Sequence, residues 1–123
     1  MATLEVDIDN FEKRVLDESH HRLVILDISA QWCGPCNILE PIINSVALEY
    51  DEKEFLLTKI EAEDENMKIA GRYGVRGFPT VIAFINGEEV DRFHSAQTPD
   101  FVREFIDTNL DKKLWKRVFC LPI

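Results

Sequence analysis

Two cysteines, Cys33 and Cys36, are the residues of this sequence best placed to do chemistry. They stand where an aliphatic run typical of a buried strand ends and a helix-like pattern begins. If Cys33 lies at the first turn of that helix, Cys36 lies one turn further along the same face, within bridging distance. The unpaired N–H groups and positive dipole end of a helix start favour a thiolate over a thiol. The spacing therefore predicts an exposed, activated Cys33 with a second thiol behind it, at a start kept tight by Gly34 and Pro35.

Half of a zinc site is the alternative interpretation of this pair. A structural zinc site needs four ligands, and the other candidates are Cys120 and three scattered histidines. Three cysteines do not make a structural disulfide framework, and a close pair in a cytosolic chain is more often redox-active or metal-binding. We therefore expect redox exchange at this pair and no bound metal.

Composition limits the classes of partner. The 123 residues fit one domain with a single core. A net charge of −9 argues against nucleic acid or an anionic membrane as the main partner, because both need a basic surface. No stretch approaches the length of a membrane span, and the acidic first seven residues do not form a secretory signal. These features predict a cytoplasmic protein.

The apolar periodicity predicts an α/β domain with element order β-α-β-α-β-α-β-β-α. Alternating strands and helices imply a parallel sheet centre with helices on both faces, and Asn86-Gly87 is a strong hairpin signal that adds antiparallel strands. The expected strands cover 4–7, 23–29, 55–61, 80–85 and 88–93. The expected helices run from a cap at Asp9 or Asn10 to 18, then over 36–50 and 64–73, with a last helix opening at 98–100.

An ionisable residue interrupts the aliphatic strand at Asp27. An isolated carboxylate there is costly unless it is paired or protonated, and burial raises its pKa. Such a group suits a proton acceptor for Cys36 near neutral pH. The alternative is an ordinary exposed acid on an edge strand. Lys59, on the next predicted strand with apolar neighbours, has a plain surface lysine as its simple interpretation.

The chain carries Trp32-Cys33-Gly34-Pro35-Cys36 and Gly77-Phe78-Pro79-Thr80, together with Asp27, Pro41 and Lys59. These residues together resemble the thioredoxin family. The resemblance covers roughly residues 3 to 110, and it implies a thioredoxin fold: a five-stranded mixed sheet with helices on both faces. It also implies electron transport and cell redox homeostasis through reversible thiol–disulfide exchange by a protein-disulfide reductase. We therefore expect the chain to consist of one thioredoxin domain at 1–110. Residues 111–123 are then a C-terminal extension of the last helix, or a tail.

The resemblance also implies roles for individual residues. Cys33 is then the attacking thiolate, Cys36 resolves the mixed disulfide, and Lys59 stands near the aspartate. Pro79 matches the family's cis-proline facing the cysteine pair, which leaves the backbone of Phe78 to pair with an extended substrate segment. A simple strand-start proline is the alternative.

The expected substrate-binding surface consists of Trp32, Gly34, Pro35, Phe78 and Pro79. Trp32 is expected to form an apolar rim beside the thiol, although a core position is the alternative.

Four positions depart from the family pattern and put partner choice in doubt. Asn37 replaces a common lysine, and Ser29 replaces a common aromatic residue. His94 and Ser95 occupy the region where the family usually has glycine, and a solvated loop histidine is the simple interpretation of His94.

The partners implied by the resemblance are disulfide-containing protein substrates and thioredoxin reductase, with the chain acting as a monomer. Because the chain has no nucleotide-binding fingerprint, we expect no bound cofactor. The resemblance implies that electrons come from a separate reductase, an NADPH-dependent flavoprotein. The rival hypothesis is a thioredoxin-fold holdase or adaptor with a secondary redox role. The apolar and basic residues after Leu110 either extend the last helix or bind a partner.

Overall fold

The computed structural model describes residues 3–119, with side chains over 3–116. Within that range five strands form one mixed sheet in the order β1-β3-β2-β4-β5. The β1–β3 and β3–β2 pairs are parallel, whereas β4 runs antiparallel to both β2 and β5. The strands are β1 (Leu4–Glu5), β2 (Leu23–Ser29), β3 (Phe55–Glu61), β4 (Thr80–Ile85) and β5 (Glu88–His94). This arrangement confirms the α/β class and the five-stranded mixed sheet.

Helices pack on both faces of the sheet. The α-helices are α1 (Gly34–Ala47), α2 (Met67–Arg72) and α3 (Pro99–Phe119). Alternate residues of β2 point to opposite faces, so Leu23 and Ile25 pack with α1 and α3, while Val24 and Leu26 pack on the other face with Phe11. Every residue of β2 is buried, which makes it the centre of the core. By the same alternation Asp27 faces α1.

The first helical segment differs from the prediction in type and in its cap. It is a π-helical stretch, Glu12–Asp17, followed by a 3₁₀ turn, Glu18–His20. The chain is capped at Asp7 rather than at Asp9 or Asn10, because Asp7 Oδ1 accepts from the backbone N–H groups of both residues. Asn10 Oδ1 accepts from Asp7 N in return, at 2.8 Å. These reciprocal bonds place the cap at Asp7 and occupy the side chain of Asn10, one of the two predicted caps.

The β4–β5 hairpin forms as predicted at Asn86-Gly87, where both residues have positive φ angles of 53° and 80°. Ser19, which is fully buried, joins this turn to the first helical segment. Its carbonyl accepts from Asn86 N at 2.9 Å, and its hydroxyl oxygen accepts from Gly87 N at 2.7 Å while donating to Leu16 O. One short side chain therefore satisfies polar groups on two elements.

The last helix runs without a break through residue 110 to Phe119. Its N-terminus is capped as predicted, since Thr98 Oγ1 accepts from Phe101 N at 3.1 Å. Residues 111–119 thus extend the helix, and Leu114 and Trp115 are 59% and 61% exposed. The domain boundary at 110 remains a prediction, and Cys120 lies outside the described residues. No helix in the described part of the chain has the length and apolar character needed to cross a membrane.

Replacing Ser19 by alanine is expected to destabilise the fold. The change leaves Gly87 N–H without its acceptor and should lower the free energy of unfolding by about 1–3 kcal/mol. Urea denaturation of the oxidised protein measures this loss. The matched control is Ser45→Ala on the exposed side of α1, which should stay within about 0.5 kcal/mol of the parent. Equal stability of the two variants would contradict the role assigned to Ser19.

Candidate active site

The start of α1 positions the two cysteines. Cys33 is the residue before the helix, with extended backbone at φ −95° and ψ 112°, and its Sγ accepts from Cys36 N at 3.2 Å. Gly34 and Pro35 form the exposed first turn. The cysteines are joined by a disulfide, with their Cα atoms 5.3 Å apart. A helix N-terminus thus points its N–H groups and positive dipole end at the sulfur of Cys33, as the spacing predicts.

The prediction that Cys33 is exposed is wrong for the disulfide form. Cys33 is 4% exposed and Cys36 is 3% exposed, so the two cysteines are equally buried in this form. The reason is packing: both cysteines cluster with Ala30 and against the partly buried Phe78. Access to the disulfide therefore depends on the side chains around it.

Trp32 and Phe78 form an aromatic rim at the disulfide. Cys33 Sγ lies 3.4 Å from the carbonyl oxygen of Phe78, and the Phe78–Pro79 peptide bond is cis, as the resemblance implies. The Trp32 ring meets the Phe78 ring edge to face, with centroids 5.8 Å apart. Trp32 is 77% exposed, which supports the rim interpretation and excludes a core position.

An open cavity of about 420 Å³ lies next to this rim, lined in part by Phe78, Pro79, His94 and Ser95. His94 is exposed, but its ring is held: Nδ1 lies 3.1 Å from Thr80 Oγ1. Since the Thr80 hydroxyl donates to Gly77 O at 2.7 Å, Nδ1 must be the donor to Thr80. His94 is therefore an oriented side chain of the cavity wall, unlike the solvated loop histidine of the simple interpretation.

Ser95 takes the backbone conformation that explains the family's preference for glycine in this region. Its φ is +69°, in the left-handed region, while its N–H donates to Pro79 O at 3.0 Å. Ser95 thus lies beside Pro79, and both residues line the cavity. The two other departures are Asn37, exposed on α1, and Ser29, buried at the end of β2.

Asp27 is a buried carboxyl group. It is 3% exposed, which excludes the exposed edge acid that the sequence left open. Burial is the main cause that raises its pKa from 3.8 to about 7, and the Lys59 ammonium opposes this rise. Its Oδ1 atom has no hydrogen-bond partner among the described residues. The Asp27 carboxyl group with this pKa therefore changes between its protonated and ionised forms near neutral pH.

Lys59 is Asp27's partner in the β2–β3 register, as the resemblance implies. Only 12% of its side chain is exposed, so it is not a plain surface lysine. Its Nζ lies 3.0 Å from Glu40 Oε1 and 3.1 Å from Glu61 Oε1. Sequence reasoning missed both glutamates. Spacing along the chain could have indicated them. Glu61 is two residues from Lys59 and so lies on the same face of its strand, and Glu40 is one helical turn from Cys36.

Metal binding has no support in the geometry. Among the described side chains, no group of three His, Cys, Asp or Glu residues is close enough to hold a metal ion. The cysteine pair is also bonded to itself, which occupies both sulfurs.

Comparison with known proteins identifies the family. The thioredoxin family model matches residues 2–108. The thioredoxin of Chlorobaculum thiosulfatiphilum is 36% identical over 101 residues, which cover 82% of this chain and 90% of that protein. The thioredoxin of Staphylococcus epidermidis is 36% identical over 110 residues, covering 89% of this chain and all of that protein. Thioredoxin 1 of Nostoc is 36% identical over 90 residues, which are 73% of this chain and 80% of that protein.

The matched segment contains the disulfide, its aromatic rim and the buried carboxyl group. Members of this family generally interact with disulfide substrates and with thioredoxin reductase. The chain therefore belongs to the thioredoxin family, and its Cys33–Cys36 pair is the redox-active centre of a thiol–disulfide oxidoreductase of the protein-disulfide reductase type.

Proposed function

We propose that the chain reduces disulfides of other cytoplasmic proteins through a cycle in which Cys33 attacks and Cys36 resolves. The observation that carries this proposal is the position of Cys33: its sulfur receives the Cys36 N–H at the start of α1. In the reduced protein this donor and the helix dipole stabilise a Cys33 thiolate. Cys36 lies within the first turn, where its sulfur reaches Cys33 and forms the disulfide.

The cycle balances as two exchanges. The Cys33 thiolate attacks one sulfur of a substrate disulfide, forms a mixed disulfide and releases one substrate thiolate. Cys36 then loses its proton and attacks the Cys33 sulfur, which releases the second substrate thiolate and closes the Cys33–Cys36 disulfide. The substrate gains two electrons and the dithiol loses two.

Asp27 is the proton acceptor for Cys36 in this scheme. Burial raises the pKa of its carboxyl group to about 7, so the carboxylate is available near neutral pH and holds a proton well. Asp27 faces α1 from the central strand, on the same side of the sheet as the start of that helix. Lys59 lies opposite Asp27 in the neighbouring strand, where its ammonium lowers the pKa of Asp27 against the larger effect of burial.

The substrate segment is expected to dock on the surface formed by Trp32, Gly34, Pro35, Phe78 and Pro79. Trp32 offers an exposed apolar face beside the disulfide, and the exposed turn at Gly34 and Pro35 lets another chain approach. The Phe78 carbonyl next to Cys33 Sγ places a backbone acceptor at the point of exchange. An extended segment could pair with this backbone while its cysteine meets Cys33.

The electrons are proposed to come from a separate NADPH-dependent flavoprotein, thioredoxin reductase. The chain would bind no cofactor of its own and would act as a monomer. The rival hypothesis is a binding module with a secondary redox role. The exposed apolar side chains of Leu114 and Trp115 on α3 favour it. Insulin reduction with the reductase and NADPH separates the two, because a binding module would give little NADPH oxidation.

The attack order can be tested by trapping. Cys36→Ser should accumulate mixed disulfides with cellular proteins through Cys33, because the resolving thiol is gone. Cys33→Ser should trap far less, since Cys36 does not lie at the helix N-terminal cap. Both variants should carry Cys120→Ser, which leaves one cysteine in each chain. Non-reducing gels with and without dithiothreitol provide the measurement. Equal capture by the two variants would refute the order, and capture by neither would favour the binding module.

Asp27→Asn should slow resolution at neutral pH. The amide keeps the shape but cannot accept a proton, so turnover near pH 7 should fall at least about tenfold. Turnover should approach that of the parent above about pH 9, where thiols ionise unaided. The pH profile of insulin reduction measures the effect, with exposed Asp17→Asn as the control. Parallel profiles for Asp27→Asn and the parent would exclude this role.

The same carboxyl group should make stability depend on pH. Asp27 has a pKa of 3.8 when unfolded and about 7 when folded, so the folded chain binds more protons between these values. The pH-dependent part of its burial cost is absent below about pH 3.8, and it grows as pH rises, reaching roughly 4 kcal/mol above pH 7. Asp27→Asn should therefore gain stability over the parent across this window. Urea denaturation from pH 4 to pH 8 measures it, and a constant difference would contradict the assignment.

A further inference from the structure

Lys59 is held between two carboxylates close to the active site. Its Nζ is 3.0 Å from Glu40 Oε1 on α1 and 3.1 Å from Glu61 Oε1 on β3. The exposed fractions of the three side chains are 12% for Lys59, 43% for Glu40 and 24% for Glu61. The ammonium is therefore fixed by contacts from a strand and from the helix that carries the cysteines.

This cluster lies on the side of the sheet toward which Asp27 points. Asp27 and Lys59 are register partners in the parallel β2–β3 pair, and Glu61, two residues on, has its side chain on the same face. On the other neighbouring strand the residue opposite Asp27 is Val81, which is uncharged. From α1 the charged group is Glu40, while Cys36 is in the disulfide.

The charges of the cluster do not cancel. One ammonium and two carboxylates sum to a net charge of −1 facing Asp27, whereas a lysine alone would contribute +1. One Glu61 oxygen and one Asp27 oxygen are both buried and have no hydrogen-bond partner among the described residues. The lysine thus bonds to the glutamates and leaves that Asp27 oxygen unpaired.

We propose that Glu40 and Glu61 are positioning residues for proton exchange at Asp27: they bind the Lys59 ammonium from two sides and offset its positive field at Asp27. This proposal deepens the function above and rests on it where it concerns turnover. Electrostatics agree with the geometry, since the Lys59 field lowers the pKa of Asp27 while the fields of Glu40 and Glu61 raise it.

The consequence for the reaction is a stronger base. A carboxylate whose positively charged neighbour is offset by two negative charges binds a proton more tightly, so Asp27 takes the Cys36 proton more readily at a given pH. A purely structural role for the two ion pairs, joining α1 to β3, would leave this proton affinity unchanged. Partly exposed ion pairs contribute little to stability, so the two roles are separable.

The test is a titration of Asp27 in the oxidised protein, followed by the ¹³C chemical shift of its carboxyl carbon. Glu40→Gln and Glu61→Gln each keep the side-chain shape and remove one negative charge. Each should lower the Asp27 midpoint by about half a pH unit, and the double variant should lower it further. The matched control is Glu49→Gln, which breaks the distant ion pair with Arg103 at 2.8 Å and changes the net charge by the same amount.

The proposal is overturned if the Asp27 titration midpoint shifts no more in Glu40→Gln and Glu61→Gln than it does in Glu49→Gln. Glu40 is 43% exposed, so its variant keeps the test valid even if Glu61→Gln fails to fold. The titration does not depend on turnover, which separates this proposal from the proposed function. If the midpoints fall but Asp27→Asn leaves the pH profile of insulin reduction unchanged, the field is as proposed and the role of Asp27 in resolution is wrong.

Discussion

The burial of a single carboxyl group constrains the active-site end of this molecule. Asp27 lies in a strand whose every residue is buried, and no neighbouring residue of β4 can offset its charge. The charged residue opposite it is Lys59 on β3, whose ammonium lowers the pKa of Asp27 but does not outweigh the effect of burial. A shift of one residue between these strands would send Lys59 to the other face of the sheet, so the parallel register and the chemistry of the site depend on each other.

Much of the fold was predictable because its signals are local. The bounds of β2, β3 and β4 equal the predicted ones, since each is a short apolar run bounded by turns. The first helical segment was predicted less well. Its cap and its π-helical form depend on the bonds between Asp7 and Asn10 and on packing of Phe11 against the sheet, which propensity alone does not reveal.

The site was predictable where chemistry follows from spacing in the chain, as for Cys33 and Cys36. It was not predictable where it depends on contacts between distant segments. The Lys59–Glu40 contact joins a strand to a helix, and the burial of Cys33 depends on Phe78, which comes 45 residues later. The left-handed backbone of Ser95 is likewise imposed by its bond to Pro79, because serine has no intrinsic preference for that conformation.

The short separation of the bonded cysteines has a thermodynamic consequence. A disulfide stabilises mainly by restricting the unfolded chain, and the effect grows with the size of the closed loop. With a separation of three residues, the restriction is worth roughly 2 kcal/mol in the chain-entropy model, against about 4.7 kcal/mol for a loop of 100 residues. Reducing the Cys33–Cys36 disulfide therefore releases only a small restriction on the unfolded chain. The domain can stay folded in both the oxidised and the reduced form.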